Sequence, residues 1–254
     1  MFLVICVLVN MPASSNFQEA IREAQSSALV GPNVVNKALP YVGGGMVLTA
    51  GGVLGGMATM ASIGYSAFNG LSMVAIIPWF ILFFVAQNAA NKANNGTALP
   101  LMATFSLLTG FTLTGLVVQA IAVAGAASIG IAALATGITF AMASVFGRRM
   151  SESVGQALTS VVSLGLIGLV VAMVGIFVAS FFIPGLYAAT NLAIAGFGTI
   201  LFVGMAFVDF YTMPRTYGDD QYLAGALSMY LTYINLFIFI LRFIIAIQGG
   251  GRRD

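Results

Sequence analysis

The residues best placed to do chemistry in this chain are polar groups set into its most apolar stretches. Around residues 221–243 the sequence is hydrophobic enough to lie in a bilayer, yet Gln221, Ser228, Thr232, Asn235 and Arg242 recur at helical spacing near one face. A second group is Asp209, in Val208-Asp209-Phe210, near the end of the preceding apolar stretch. Lipid satisfies no hydrogen bonds, so a polar stripe within it must face protein or water. A short ionised carboxylate there must be paired or hydrated. The chemistry such groups can do together is to attract a cation or hand on a proton. Two plainer readings stand beside it: the stripe holds helices together, and Asp209 is a helix-end carboxylate at the interface near Pro214. Arg242, near the far end of its stretch, has an interfacial reading as a snorkelling side chain.

Composition sets what surrounds these groups. Hydrophobic residues make up 60% of the chain and charged residues 6%, against roughly 25% charged in a soluble domain. With a mean hydropathy of +1.04, this reads as an all-α, polytopic membrane protein whose main partner is the lipid bilayer. The net charge of +2 gives no footprint for nucleic acid. A single cysteine, Cys6, excludes an internal disulfide. The absence of histidine removes His-based triads, His-ligated metals and His pH switches. An intramembrane aspartyl protease needs two facing carboxylates, and only Asp209 lies within a span. There is no Walker motif, and the only lysines, Lys37 and Lys92, fall near span ends. The chain is not expected to be an enzyme or to hold a cofactor.

A membrane helix needs about 20 mostly apolar residues. Seven such spans are predicted, at 39–62, 71–90, 99–122, 126–146, 158–181, 187–211 and 222–247, with breakers at Asn94-Asn95-Gly96, Gly147-Arg148-Arg149, Pro184-Gly185 and Pro214 to Asp220. The organisation is an N-terminal extension (1–37), a seven-helix membrane domain (38–247) and a short tail (248–254). Residues 1–9 are apolar but too short to span and lack a basic flank, which argues against a signal peptide. Translation from Met11 or an interfacial extension fits better, with 16–25 as a short surface helix. Gly51, Gly52, Gly55 and Gly56 form two overlapping GxxxG pairs, suited either to close packing inside the bundle or to a dimer face. Asp219 and Asp220 are read as a cap and first-turn acid of the last helix. With seven spans, Arg22, Lys37, Lys92, Arg148, Arg149 and Arg215 share the N-terminal side, which the positive-inside rule places in the cytoplasm. Arg252 and Arg253 at the tail disagree with it.

The segment Leu227-Ser-Met-Tyr-Leu-Thr-Tyr-Ile-Asn-Leu-Phe-Ile-Phe-Ile-Leu-Arg-Phe243 resembles the signature last helix of the Bax inhibitor-1 (transmembrane Bax inhibitor motif) family. Asp209 matches that family's acid near the end of the sixth helix. Gly147-Arg-Arg-Met-Ser-Glu-Ser-Val154, followed by Gly165-Leu-Ile-Gly168, is similar to its basic loop and following helix. The resemblance covers about residues 40–243. It implies six helices around a central seventh, a bacterial cytoplasmic (inner) membrane location and a passive calcium leak, with calcium as cargo. In the bacterial relatives it implies two aspartates that share a proton and so sense pH, latched by an arginine on the second helix. Here Thr232 stands where the second aspartate is expected, and no arginine ends the second span; Gln87, Asn88 or Lys92 would have to substitute. The expectation is therefore a leak path of Asp209, Ser228, Thr232 and Asn235, with Asp209 as a weak calcium ligand and without the inherited pH gate. The competing expectation is a non-transporting regulator of a membrane-bound ATP-dependent protease or other quality-control partner. A monomer or weak homo-oligomer fits either.

Overall fold

The computed structural model describes residues 29–250; the expectations for 1–28 and for the basic tail lie outside them. Seven helices follow in order: α1 (Val34–Ile63), α2 (Tyr65–Asn91), α3 (Asn95–Ala124), α4 (Ala127–Phe146), α5 (Glu152–Ala179), α6 (Leu186–Thr216) and α7 (Tyr222–Gly250). A 3-10 turn, Gly147–Arg149, joins α4 to α5. No strand occurs among the described residues. All seven helices are long and apolar enough to cross a bilayer.

Most helices run several residues beyond the predicted spans. Pro40 and Pro100 fall near the starts of α1 and α3, close to the first turns, where helices tolerate proline best. Pro214 lies in the last turn of α6, so the helix continues past it to Thr216. Asp209 is therefore seven residues inside α6. The turns are short because glycine takes the conformations they need: Gly64 (φ 84°) and Gly125 (φ 79°) reverse the chain in one or two residues.

Helix α7 is the axis. Half of its most apolar window is buried, against 17–33% for the other helices. Leu223, Ala224, Leu227, Met229, Tyr230, Leu236 and Leu241 are wholly enclosed. Helices α1, α3, α4 and α6 pack directly around it, and α2, packed mainly against α3, touches it more lightly. Helix α5 packs on the outside of α6, so six helices surround the seventh at two depths.

The α1–α3 pair shows how one half of the glycine motif is used. A Cβ at Gly52 would meet the Leu107 carbonyl, one at Gly56 the Thr114 hydroxyl, and one at Gly110 the Thr49 carbonyl. Backbones this close leave no room for side chains and gain dispersion contact along the whole crossing. Gly51 and Gly55 face outward instead, and nothing approaches Gly55 within 4 Å.

Candidate functional site

Helices α6 and α7 form one of the most extensive interfaces of the bundle and bring Asp209 and Thr232 together. Each is 3% exposed. The Thr232 side chain faces the Asp209 carboxyl, whose Oδ2 is buried with no partner among the described residues. A hydroxyl can donate only one hydrogen bond, so it can serve at most one of the two oxygens. Val208, Phe210 and Met213, near Asp209 on the same helix, are buried as well.

The remaining stripe residues point elsewhere. Asn235 is buried, and its Nδ2 donates to the Leu231 carbonyl at 2.8 Å. It lines a cavity of about 20 Å³ between α2, α3 and α7, together with Trp79, Thr109 and Thr112. Ser228 is half-buried. Arg242 is half-buried and makes no ion pair among the described residues. Of the residues considered as latch substitutes, Gln87 donates to Asn91 on its own helix (3.0 Å), while Asn88 and Lys92 are exposed. The structure shows no hydrogen bond or ion pair from any of the three to Asp209.

Two features were missed by sequence reasoning. The first is a buried polar knot on the other side of α7. The Tyr230 hydroxyl lies 2.6 Å from Thr49 Oγ1 of α1, Thr49 donates to the Gly45 carbonyl, and Trp79 Nε1 donates to Thr109 Oγ1 at 2.7 Å. Threonines scattered through apolar helices carry no periodic signal, and their partners lie on other helices. The second is Arg148. Its guanidinium lies 5.7 Å from the centre of the Phe210 ring, next to Asp209 in sequence, and its Nη1 donates to Asn36 Oδ1 at 3.0 Å. The 3-10 turn reaches α6 because Gly147 rests against the Phe207 carbonyl and Phe210 Cβ.

The end of the bundle nearest Asp209 is polar and cross-tied. Val30 and Gly31 N–H groups donate to the Pro214 carbonyl, Asn95 Nδ2 to the Asp220 carbonyl and Gln221 Nε2 to the Asn91 carbonyl. Asp219 does not cap the last helix as expected; its carboxylate accepts from Asn33 N (2.9 Å) and Asn33 Nδ2 (3.1 Å) at the start of α1. Desolvation pushes the Asp219 carboxyl up. The Asn33 groups, the Lys37 charge and the Val34 N–H outweigh it and hold the carboxyl below the usual value. The opposite end carries no charge in its turns and exposes Phe181, Phe182 and Ile183.

No group of three or more histidine, cysteine or acidic side chains able to hold a metal occurs among the described residues. Asp209 and Thr232 offer too few oxygens for a resident calcium, which takes six to eight.

Fold and site together define a seven-helix membrane protein built on a polar central helix with one enclosed carboxyl. Residues 31–249 match the profile of the family described as inhibitor of apoptosis-promoting Bax1. The chain belongs to this Bax inhibitor-1 family. It is 32% identical over 176 residues to a membrane protein of Streptococcus pyogenes serotype M1, covering 66% of this chain and 71% of the relative. It is 31% identical over 194 residues to a Caulobacter vibrioides protein, covering 72% and 71%. Similarity to Bax inhibitor 1 of Schizosaccharomyces pombe is 36% over 70 residues, or 28% of this chain and 26% of that one.

Proposed function

We propose that this protein is a passive cation leak of a bacterial cytoplasmic membrane, non-enzymatic, with calcium as cargo and Asp209 at the inner mouth. The observation that carries this reading is the Asp209 carboxyl, enclosed in a membrane bundle with Oδ2 lacking a donor. Removing a charge from water costs several kcal/mol unless something compensates it. A passing cation supplies that compensation. Thr232 orients the other oxygen. Without a second carboxylate the pair has no shared proton, so flux is governed by one acid and lacks the steep pH response of a two-carboxylate site. Both residues are sealed by packing, so conduction requires an opened state of the α6–α7 end.

The cytoplasmic side is assigned to the end that carries Lys37, Lys92, Arg148, Arg149 and Arg215. This places the N-terminal side of α1 inside the cell.

The test is calcium flux into proteoliposomes. Asp209→Asn keeps the shape but replaces one acceptor oxygen with an amide donor and removes the charge, and is expected to abolish flux in a protein that still folds. Unchanged flux removes Asp209 from the path. Thr232→Asp is expected to add pH dependence by restoring a second acid. The tight seal over Asp209 also favours a second reading, in which the chain does not transport but regulates a membrane-bound ATP-dependent protease or another quality-control partner. Crosslinking in native membranes that recovers such a partner, with no flux from the purified protein, would support that reading instead.

A further inference from the structure

Helix α1 begins without a cap of its own: the Asn33 side chain makes no capping bond and the first turn holds no acid. The four leading N–H groups of a helix need acceptors, and a carboxylate is the favoured one. Asp219 supplies it from the α6–α7 loop, 186 residues away in sequence from Asn33, through the Asn33 N–H and the Asn33 side-chain amide, while the Val34 N–H donates to the Gly31 carbonyl at 3.2 Å. Lys37, one turn into α1, closes the same contact from above, with Nζ 3.1 Å from the Asp219 carbonyl and 3.8 Å from Oδ2.

The residues just before α1 complete the attachment. The Val30 and Gly31 N–H groups donate to the Pro214 carbonyl at 2.9 and 3.1 Å. That carbonyl lies in the last turn of α6, where intrahelical donors run out. Gly31 is buried, and a Cβ there would collide with the Tyr217 carbonyl and the Asp219 backbone nitrogen. Only glycine lets the chain seat so closely. Asn36, on the same turn of α1, accepts from Arg148, which lies over Phe210. Residues 30–37 therefore tie down the last turn of the helix that carries Asp209, from two sides.

We propose that residues 30–37 form a clasp that regulates access to Asp209, locked by the Gly31 seat and by Asp219 acting as the missing cap of α1. Release of the clasp frees the last turn of α6 and the α6–α7 loop, and opens the carboxyl to the polar end of the bundle. This regulation rests on the reading of Asp209 as the mouth of a cation path. The exposure it controls is measured without any flux.

The experiment uses the full chain with Cys6→Ser and Asp209→Cys, reconstituted in liposomes, and the rate at which a membrane-impermeant thiol reagent modifies residue 209. Gly31→Val and Asp219→Asn, each added separately, are expected to raise that rate by on the order of tenfold, which corresponds to about 1.4 kcal/mol at room temperature. Gly43→Val is expected to leave it unchanged, because nothing lies within 4 Å of that site. Asp219→Asn retains the side-chain volume and decides the matter if Gly31→Val does not fold. Equal rates in the parent and the released variants overturn the clasp, and so does a thiol that stays unreactive in all of them. If modification responds to the clasp while wild-type protein passes no calcium, the clasp stands and the leak falls. If flux depends on Asp209 while modification ignores the clasp, the reverse holds.

Discussion

At the residue scale the polar groups of α7 divide into two environments. Thr232 turns to Asp209 on α6, whereas Asn235 turns to the small cavity beside Trp79. Helical spacing in the sequence makes the stripe legible, but spacing alone does not tell which neighbour each residue meets. The Trp79–Thr109 bond was invisible for the same reason. Thr109→Val removes the hydroxyl that accepts from the buried Trp79 indole N–H, and the expected cost is about 1–3 kcal/mol, read from thermal unfolding in detergent. Tyr230→Phe removes the hydroxyl facing Thr49 and is expected to cost about 1 kcal/mol by the same measurement. Asp219 titrates below the usual carboxylate value when folded, so its contribution is present above its unfolded value and is lost as pH falls through the folded one. Amide exchange at Val30 and Gly31 should therefore show equal local opening at neutral and mildly acidic pH once corrected for intrinsic rates. Extra opening is expected only in stronger acid.

At the element scale the seven spans could be read from hydropathy because each exceeds the length needed to cross a bilayer. Their ends were harder to place. Pro214 reads as a break in the sequence, yet it lies inside α6, in the last turn, where its missing N–H costs the helix a single backbone bond. The glycine pairs were ambiguous in sequence, and packing resolves them: Gly52 and Gly56 face α3, while Gly51 and Gly55 face outward. Gly52→Leu is expected to destabilise the bundle by about 1–3 kcal/mol or more through overpacking. Gly55→Leu should be near neutral in the monomer. Equal unfolding temperatures for the two variants would contradict the close α1–α3 crossing.

At the scale of the whole molecule the two ends differ. The Asp209 end gathers the described basic side chains except Arg242 and the ties between α1, the α2–α3 turn and the α6–α7 loop, and the other end is apolar. Span counting made that asymmetry legible. The outer position of α5 was not, because residues 164–179 are apolar on every face and only packing distinguishes lipid from protein. In sealed vesicles of known orientation, single cysteines at Lys92 and Arg149 should react with an impermeant reagent from the same side, and one at Phe182 from the other. Reaction of Lys92 and Phe182 positions from a common side would contradict the arrangement.

The most direct measurement is calcium uptake by liposomes that hold purified wild-type protein, set beside Asp209→Asn and protein-free vesicles. Uptake through wild type alone, with Asp209→Asn no faster than bare lipid, is the expected result. Wild-type vesicles as tight as protein-free ones, or Asp209→Asn as leaky as wild type, would contradict a cation path through that carboxyl.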